Sequence, residues 1–79
     1  MQAERRINPG DLVTSRFGHG EVLHQNLFRA NARDARLREG DHALVTWVGK
    51  DQDRDVCEVL FQGEVWRANT IGLRVVKDD

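Results

Sequence analysis

A mainly β fold, a small barrel of five to six short strands, is predicted by three observations. Apolar residues alternate in short runs, tight-turn signals separate those runs, and 79 residues leave room for only one small core. One surface helix is expected to interrupt the strands. The domain is expected over residues 9–77, after a flexible polar arm at 1–8.

Each element has its own signal. Pro9-Gly10 marks a turn, and Asp11–Ser15 (DLVTS) reads as the first short strand. Arg16–Gly20 (RFGHG) interrupts it, and Glu21–Gln25 (EVLHQ) resumes as the second arm of a hairpin. The segment 26–38 is predicted helical. Asn26 can cap its N-terminus, Gly40 can stop it, and Phe28, Ala32 and Ala35 fall at helical spacing. His42–Val48 (HALVTWV) is the strongest strand, followed by a charged loop, Gly49–Asp55. Val56–Phe61 pairs with it, Gln62–Glu64 turns the chain, and Val65–Arg67 returns. Ala68–Gly72 (ANTIG) reads as a single helical turn, and LRVV closes the fold. Glu58–Gly63 (EVLFQG) resembles the recognition sequence of a picornaviral cysteine protease, but Glu64 stands where a proline usually follows. Its mid-domain position reads as native strand and turn.

Composition bounds the function. The apolar fraction of 39% and charged fraction of 32% suit a compact fold more than a disordered chain. One cysteine, Cys57, excludes an intramolecular disulfide, and no CxxC pair offers a structural zinc site. Stability then has to come from a tight core or from self-association. Neither a signal peptide nor a membrane-spanning run is read here, so a cytoplasmic location without membrane contact is expected. The net charge of −1 hides an asymmetry. Residues 1–38 carry seven arginines against four acids, +3, whereas residues 39–79 carry five bases against nine acids, −4. That balance excludes a general nucleic-acid coat and fits a chain with one basic and one acidic face.

The glycine-rich stretch Arg16–Gln25 could cradle a phosphate, bind a metal or turn a strand. A phosphate loop needs a helix after the glycines, whereas a strand is predicted here. His19, His24, His42 and Cys57 lack the spacing of a metal set. Gly18 and Gly20 therefore read as turn residues, and no metal, cofactor or catalytic residue is assigned. No nucleophile, base and orienting group stand in a legible set, so no enzyme activity is expected.

The candidate partner surface is basic. Arg29, Arg33 and Arg36 repeat a helical spacing and would share one face, with Arg16 and Arg38 beside them. A solvated helix face is the plain alternative. Of the two tryptophans, one is expected in the core and one outside. With Val65 facing the core, Trp66 would point outward as an anchor for a partner.

The stretch PGDLVTSRFGHGEVL resembles the opening of the SH3-like (Tudor-like) barrels at the C-terminus of UvrD/PcrA-type helicases. Gly10, Asp11, Val13, Phe17, Gly18, Gly20 and Val22 carry the likeness. The RNA-polymerase-interacting modules of CarD and of the transcription-repair coupling factor open similarly. The tail EVWRANTIGLRVV looks like the closing strand, helical turn and last strand of such barrels, with Leu73 and Val75 as core. The helix at 26–38 departs from the pattern, standing where those barrels have a short loop. The resemblance implies a bacterial, non-catalytic interaction module for RNA polymerase, another protein or nucleic acid. Two rivals stay open: a self-associating, homo-oligomeric subunit, and a small-barrel oligomeric enzyme of the plasmid dihydrofolate reductase kind, whose substrate-binding strand motif has no match here.

Overall fold

The computed structural model of the chain describes residues 6–25 and 34–76. Seven strands fill most of it: β1 (Leu12–Ser15), β2 (Glu21–His24), β3 (Asp34–Leu37), β4 (Ala43–Asp51), β5 (Arg54–Phe61), β6 (Glu64–Asn69) and β7 (Leu73–Val75). They form one antiparallel sheet in the order β3-β2-β6-β5-β4-β1-β7, curled into a half-barrel. A 3-10 turn at Thr70–Gly72 occupies the place of the expected helical turn.

The expected helix is overturned where its residues are described. Asp34–Leu37 is strand β3, which pairs with β2 from Glu21↔Leu37 to His24↔Asp34. Leu37 is fully buried, and Ala35 packs against the core from the same strand. Helix-favouring residues such as Ala, Arg and Leu carry weak intrinsic preferences, and burial against a paired strand outweighs them. The rest of the 26–38 assignment, including the Asn26 cap and the Phe28–Ala32 stripe, lies outside the described residues. β3 is also what raises the strand count from five or six to seven.

Two further expectations change. Of the expected frayed arm at 1–8, residues 1–5 lie outside the described residues, and Ile7 is a core residue at 8% exposure, because an apolar side chain beside the Pro9-Gly10 turn has a core within reach. The charged loop at Gly49–Asp55 shrinks to a two-residue turn. Gln52 and Asp53 both take positive φ, 51° and 67°, the mirror-image turn that suits the twist of a long β4–β5 hairpin. EVLF lies on β5, and the chain turns into β6 at Gln62 and Gly63, which also have positive φ.

The curl is fixed by contacts between strands that are not neighbours in the sheet. The Thr14 hydroxyl of β1 donates to the Arg38 carbonyl and accepts from the Gly40 N–H, each at 3.3 Å. Between neighbours, the Arg16 N–H donates to the Gly72 carbonyl at 2.9 Å and extends the β1–β7 ladder by one pair. Glu21 lies against Gly72, where no Cβ would fit. Gly20 answers the question of the glycine-rich loop. Its φ is +90°, and a Cβ there would come within 2.9 Å of Arg36 Cγ and 3.0 Å of the Leu37 carbonyl. It turns the chain from β1 into β2 against β3.

Inside the curl lie Val13, Leu23, Leu37, Val45, Cys57, Val59, Trp66 and Leu73, among others. β6 alternates in and out along its length and β5 does so from Cys57 to Phe61, as a half-buried sheet requires. β4 breaks its alternation at a bulge between Val45 and Trp47, which leaves both Thr46 and Trp47 on the outside.

Candidate functional site

One open cleft, about 920 Å³, runs beside β7. Three arginines reach it from separate parts of the chain: Arg16 after β1, Arg54 at the start of β5 and Arg74 in β7. The β1–β7 register, Thr14↔Arg74 and Ser15↔Leu73, brings Arg16 and Arg74 to the same end of the sheet. Apolar side chains, among them Leu73, Val75 and Ile71, supply much of the rest of the wall, with the polar Asn69 and Thr70 beside them. Ile71 projects from the 3-10 turn at 74% exposure, the highest among the large apolar residues described.

Electrostatically the cleft is basic. Asp55 is its one acid among the described residues, and Lys50 approaches that carboxylate at 3.5 Å. The Arg54 and Arg74 side chains make no hydrogen bond or ion pair with another described residue. Two arginine side chains thus line the cleft without a partner among the described residues, and arginine is the residue suited to receive a carboxylate or phosphate bidentately. Among the described residues no aromatic side chain lines it.

The predicted site residues scatter. Arg16 alone of them lines the cleft. Arg29 and Arg33 lie outside the described residues. Arg36 is on β3, not on a helix face, and its guanidinium donates to the His19 carbonyl at 2.8 Å. Arg38 follows β3, with its carbonyl held by Thr14 and its N–H donating to Asp41 at 3.1 Å. Trp66 is corrected outright: it is buried at 4%, and Val65 is the exposed residue at 51%. The reason is visible at the indole, whose N–H donates to the Phe61 carbonyl at 3.0 Å inside the core. Trp47 is the outward tryptophan, with the Arg67 guanidinium 5.7 Å from its ring centroid. Arg54 and Arg74 were missed because no local pattern joins them; only the strand order does.

The titratable groups near the core do not make a nucleophile. Burial, reinforced by the Glu21 and Glu58 carboxylates, pushes the Cys57 thiol up to about 11, so it stays protonated at neutral pH. Burial also raises Glu21, against the opposing pull of His24, His19 and Arg36. His24 Nδ1 meets Asp34 Oδ1 at 3.1 Å on the exposed β2–β3 pair. Among the described residues no three His, Cys, Asp or Glu side chains are grouped to hold a metal ion. None of the described helices is long and apolar enough to cross a membrane. Compared with known proteins, the chain matches no family model, no curated protein and no solved structure.

Proposed function

We propose that this chain is a non-catalytic interaction module that binds an acidic, partly apolar peptide segment of a partner protein in the cleft beside β7. The observation that carries this reading is the convergence of Arg16, Arg54 and Arg74 on a wall that also presents Ile71 and Val75. Arginines would take the carboxylates, and the apolar wall would take the side chains between them. β7 is an edge of the described sheet, so an extended peptide has backbone to pair with. A nucleic acid is the poorer occupant. Among the described residues the cleft has no aromatic platform for a base, and the chain's net charge is −1.

The likeness of the opening segment to SH3-like modules that meet RNA polymerase supports a protein partner, with RNA polymerase as the first candidate. A protonated Cys57 and the scattered histidines support a role without covalent chemistry.

The test is a titration with a labelled peptide of alternating glutamate and leucine, by fluorescence anisotropy. Arg54→Glu/Arg74→Glu should weaken binding at least tenfold while the fold is retained. Tight, salt-sensitive binding of a single-stranded oligonucleotide with no binding of the peptide would overturn the peptide assignment. Equal peptide binding by the folded double variant would overturn the cleft.

A further inference from the structure

β7 pairs on one side only, with β1, and its register there says which backbone groups are left over. The Val76 N–H donates to the Leu12 carbonyl at 2.8 Å, and the Gly72 carbonyl accepts from the Arg16 N–H. With the register Val13↔Val75, Thr14↔Arg74 and Ser15↔Leu73, residues 72, 74 and 76 turn their backbone groups towards β1. Leu73 and Val75 turn theirs away from it. The Leu73 N–H is taken by the Thr70 carbonyl of the 3-10 turn. The Leu73 carbonyl, the Val75 N–H and the Val75 carbonyl have no hydrogen-bond partner among the described residues.

The cleft meets β7 at this free edge. Leu73, Arg74, Val75 and Val76 all line it, whereas a cleft against one face of a strand takes alternate residues only. We propose that the cleft holds its peptide as an added antiparallel strand on β7, reading an apolar residue opposite Val75, an acidic one opposite Arg74 and an apolar one opposite Leu73; this assignment rests on the acidic-peptide reading above. The residue opposite Val75 exchanges both backbone hydrogen bonds with it, and the residue opposite Leu73 donates to the Leu73 carbonyl. Directly opposed residues share a face of the sheet. The first side chain therefore joins Val75, which packs against the core, and the third joins the buried Leu73. The one between them shares the exposed face of Arg74, whose side chain has no other described partner. A slip by one residue would turn the acid to the core side, so the alternation of the peptide fixes its register.

Charge selects this occupant over a second copy of the chain. A two-fold axis at Val75 would pair β7 with β7 of another molecule and satisfy the same backbone groups. It would also bring the cleft of one molecule, with Arg16, Arg54 and Arg74, against the same three arginines of the other. Like charges across a ladder are destabilising, whereas a carboxylate opposite Arg74 is stabilising. The described sheet supplies the polarity. Each of its strand pairs is antiparallel, the arrangement with the better hydrogen bonds per residue.

Backbone N-methylation of the glutamate–leucine peptide tests the register. Methylating its leucine amides removes the donors that reach the Val75 and Leu73 carbonyls, and should weaken binding about tenfold or more. Methylating its glutamate amides, which point away from β7, should change affinity by less than about threefold. Amide exchange in the unaltered protein gives a second measure. The Val75 N–H should exchange freely in the free chain and slow about tenfold or more with peptide, while the Arg74 N–H, already turned to β1, should not change. Equal losses from the two methylated peptides, the reverse order, or a Val75 amide unmoved by peptide would overturn the strand assignment. The acidic-peptide reading would survive those results wherever Arg54→Glu/Arg74→Glu still weakens binding. An unmodified peptide that does not bind would overturn both. Protection of Val75 that grows with protein concentration in the absence of peptide would give the edge to a second copy and overturn the proposal.

Discussion

The indole of Trp47 lies over Gly49, two residues further along β4, in the space that a side chain at position 49 would fill. Successive odd positions of a strand share a face, so the glycine makes a shelf and the aromatic covers it. Arg67 closes over the exposed side of the ring from β6. The bulge between Val45 and Trp47 is what turns this tryptophan outward.

Gly49→Ala should therefore displace the Trp47 ring without unfolding the protein. A methyl group at 49 and the ring cannot share one place, but the ring is on the surface and free to swing away. We expect a stability loss of about 1 kcal/mol or less. In an amide spectrum, the Trp47 indole N–H resonance should move and that of Trp66 should stay. A shift of both, or of neither, would refute the shelf.

Trp66→Phe should be far more costly. It removes buried ring atoms and leaves the Phe61 carbonyl without its indole donor. Cavity and lost hydrogen bond together should destabilise by about 2–4 kcal/mol, measured by urea unfolding. An outward Trp66 would predict a change within about 0.5 kcal/mol.

The Cys57 thiol should resist alkylation under native conditions and react once the protein unfolds, because it is buried and its pKa is pushed up to about 11. The pH dependence has a definite sign. Unfolded, the thiol loses its proton near its ordinary value of 9.0; folded, it keeps the proton to about 11. The folded state therefore binds more protons in that window, and stability falls as pH rises through it. Two units correspond to at most about 2.7 kcal/mol. Cys57→Ala should flatten that alkaline slope. An unchanged slope would mean other groups set it.

Ile71→Asp should leave stability within about 0.5 kcal/mol, since the side chain is 74% exposed. It should nonetheless weaken the acidic peptide, by removing an apolar wall and adding a like charge. Unaltered peptide affinity in this variant would place the peptide elsewhere.

The viral protease that recognises EVLFQ-type segments should fail to cut the folded chain after Gln62. β5 holds Arg54–Phe61 between two neighbours, and a protease needs the segment extended and accessible. Rapid native cleavage would show that β5 opens readily; cleavage only in denaturant would agree with the sheet.

The sequence by itself determined the β class, most strand positions and the turns. Alternation in HALVTWV and VCEVLF, and glycine or proline at the turns, act over a few residues, and a local signal of that range survives without tertiary context. It also allowed Gly20 to turn the chain, since glycine takes a φ of +90° without a Cβ clash, whereas Gly18 has no positive φ. Tertiary structure decided the rest. Asp34–Leu37 has helix-favouring residues, yet a partner strand and a core cavity for Leu37 made it β3. Val65 and Trp66 are both apolar, so alternation alone could not choose which faces inward; the Phe61 carbonyl waiting for an indole N–H did. Arg16, Arg54 and Arg74 lie far apart along the chain, and only the order β5-β4-β1-β7 gathers them at one cleft. Contacts between distant segments are set by which faces can be buried together, and that balance is struck only when the whole sheet closes on its core.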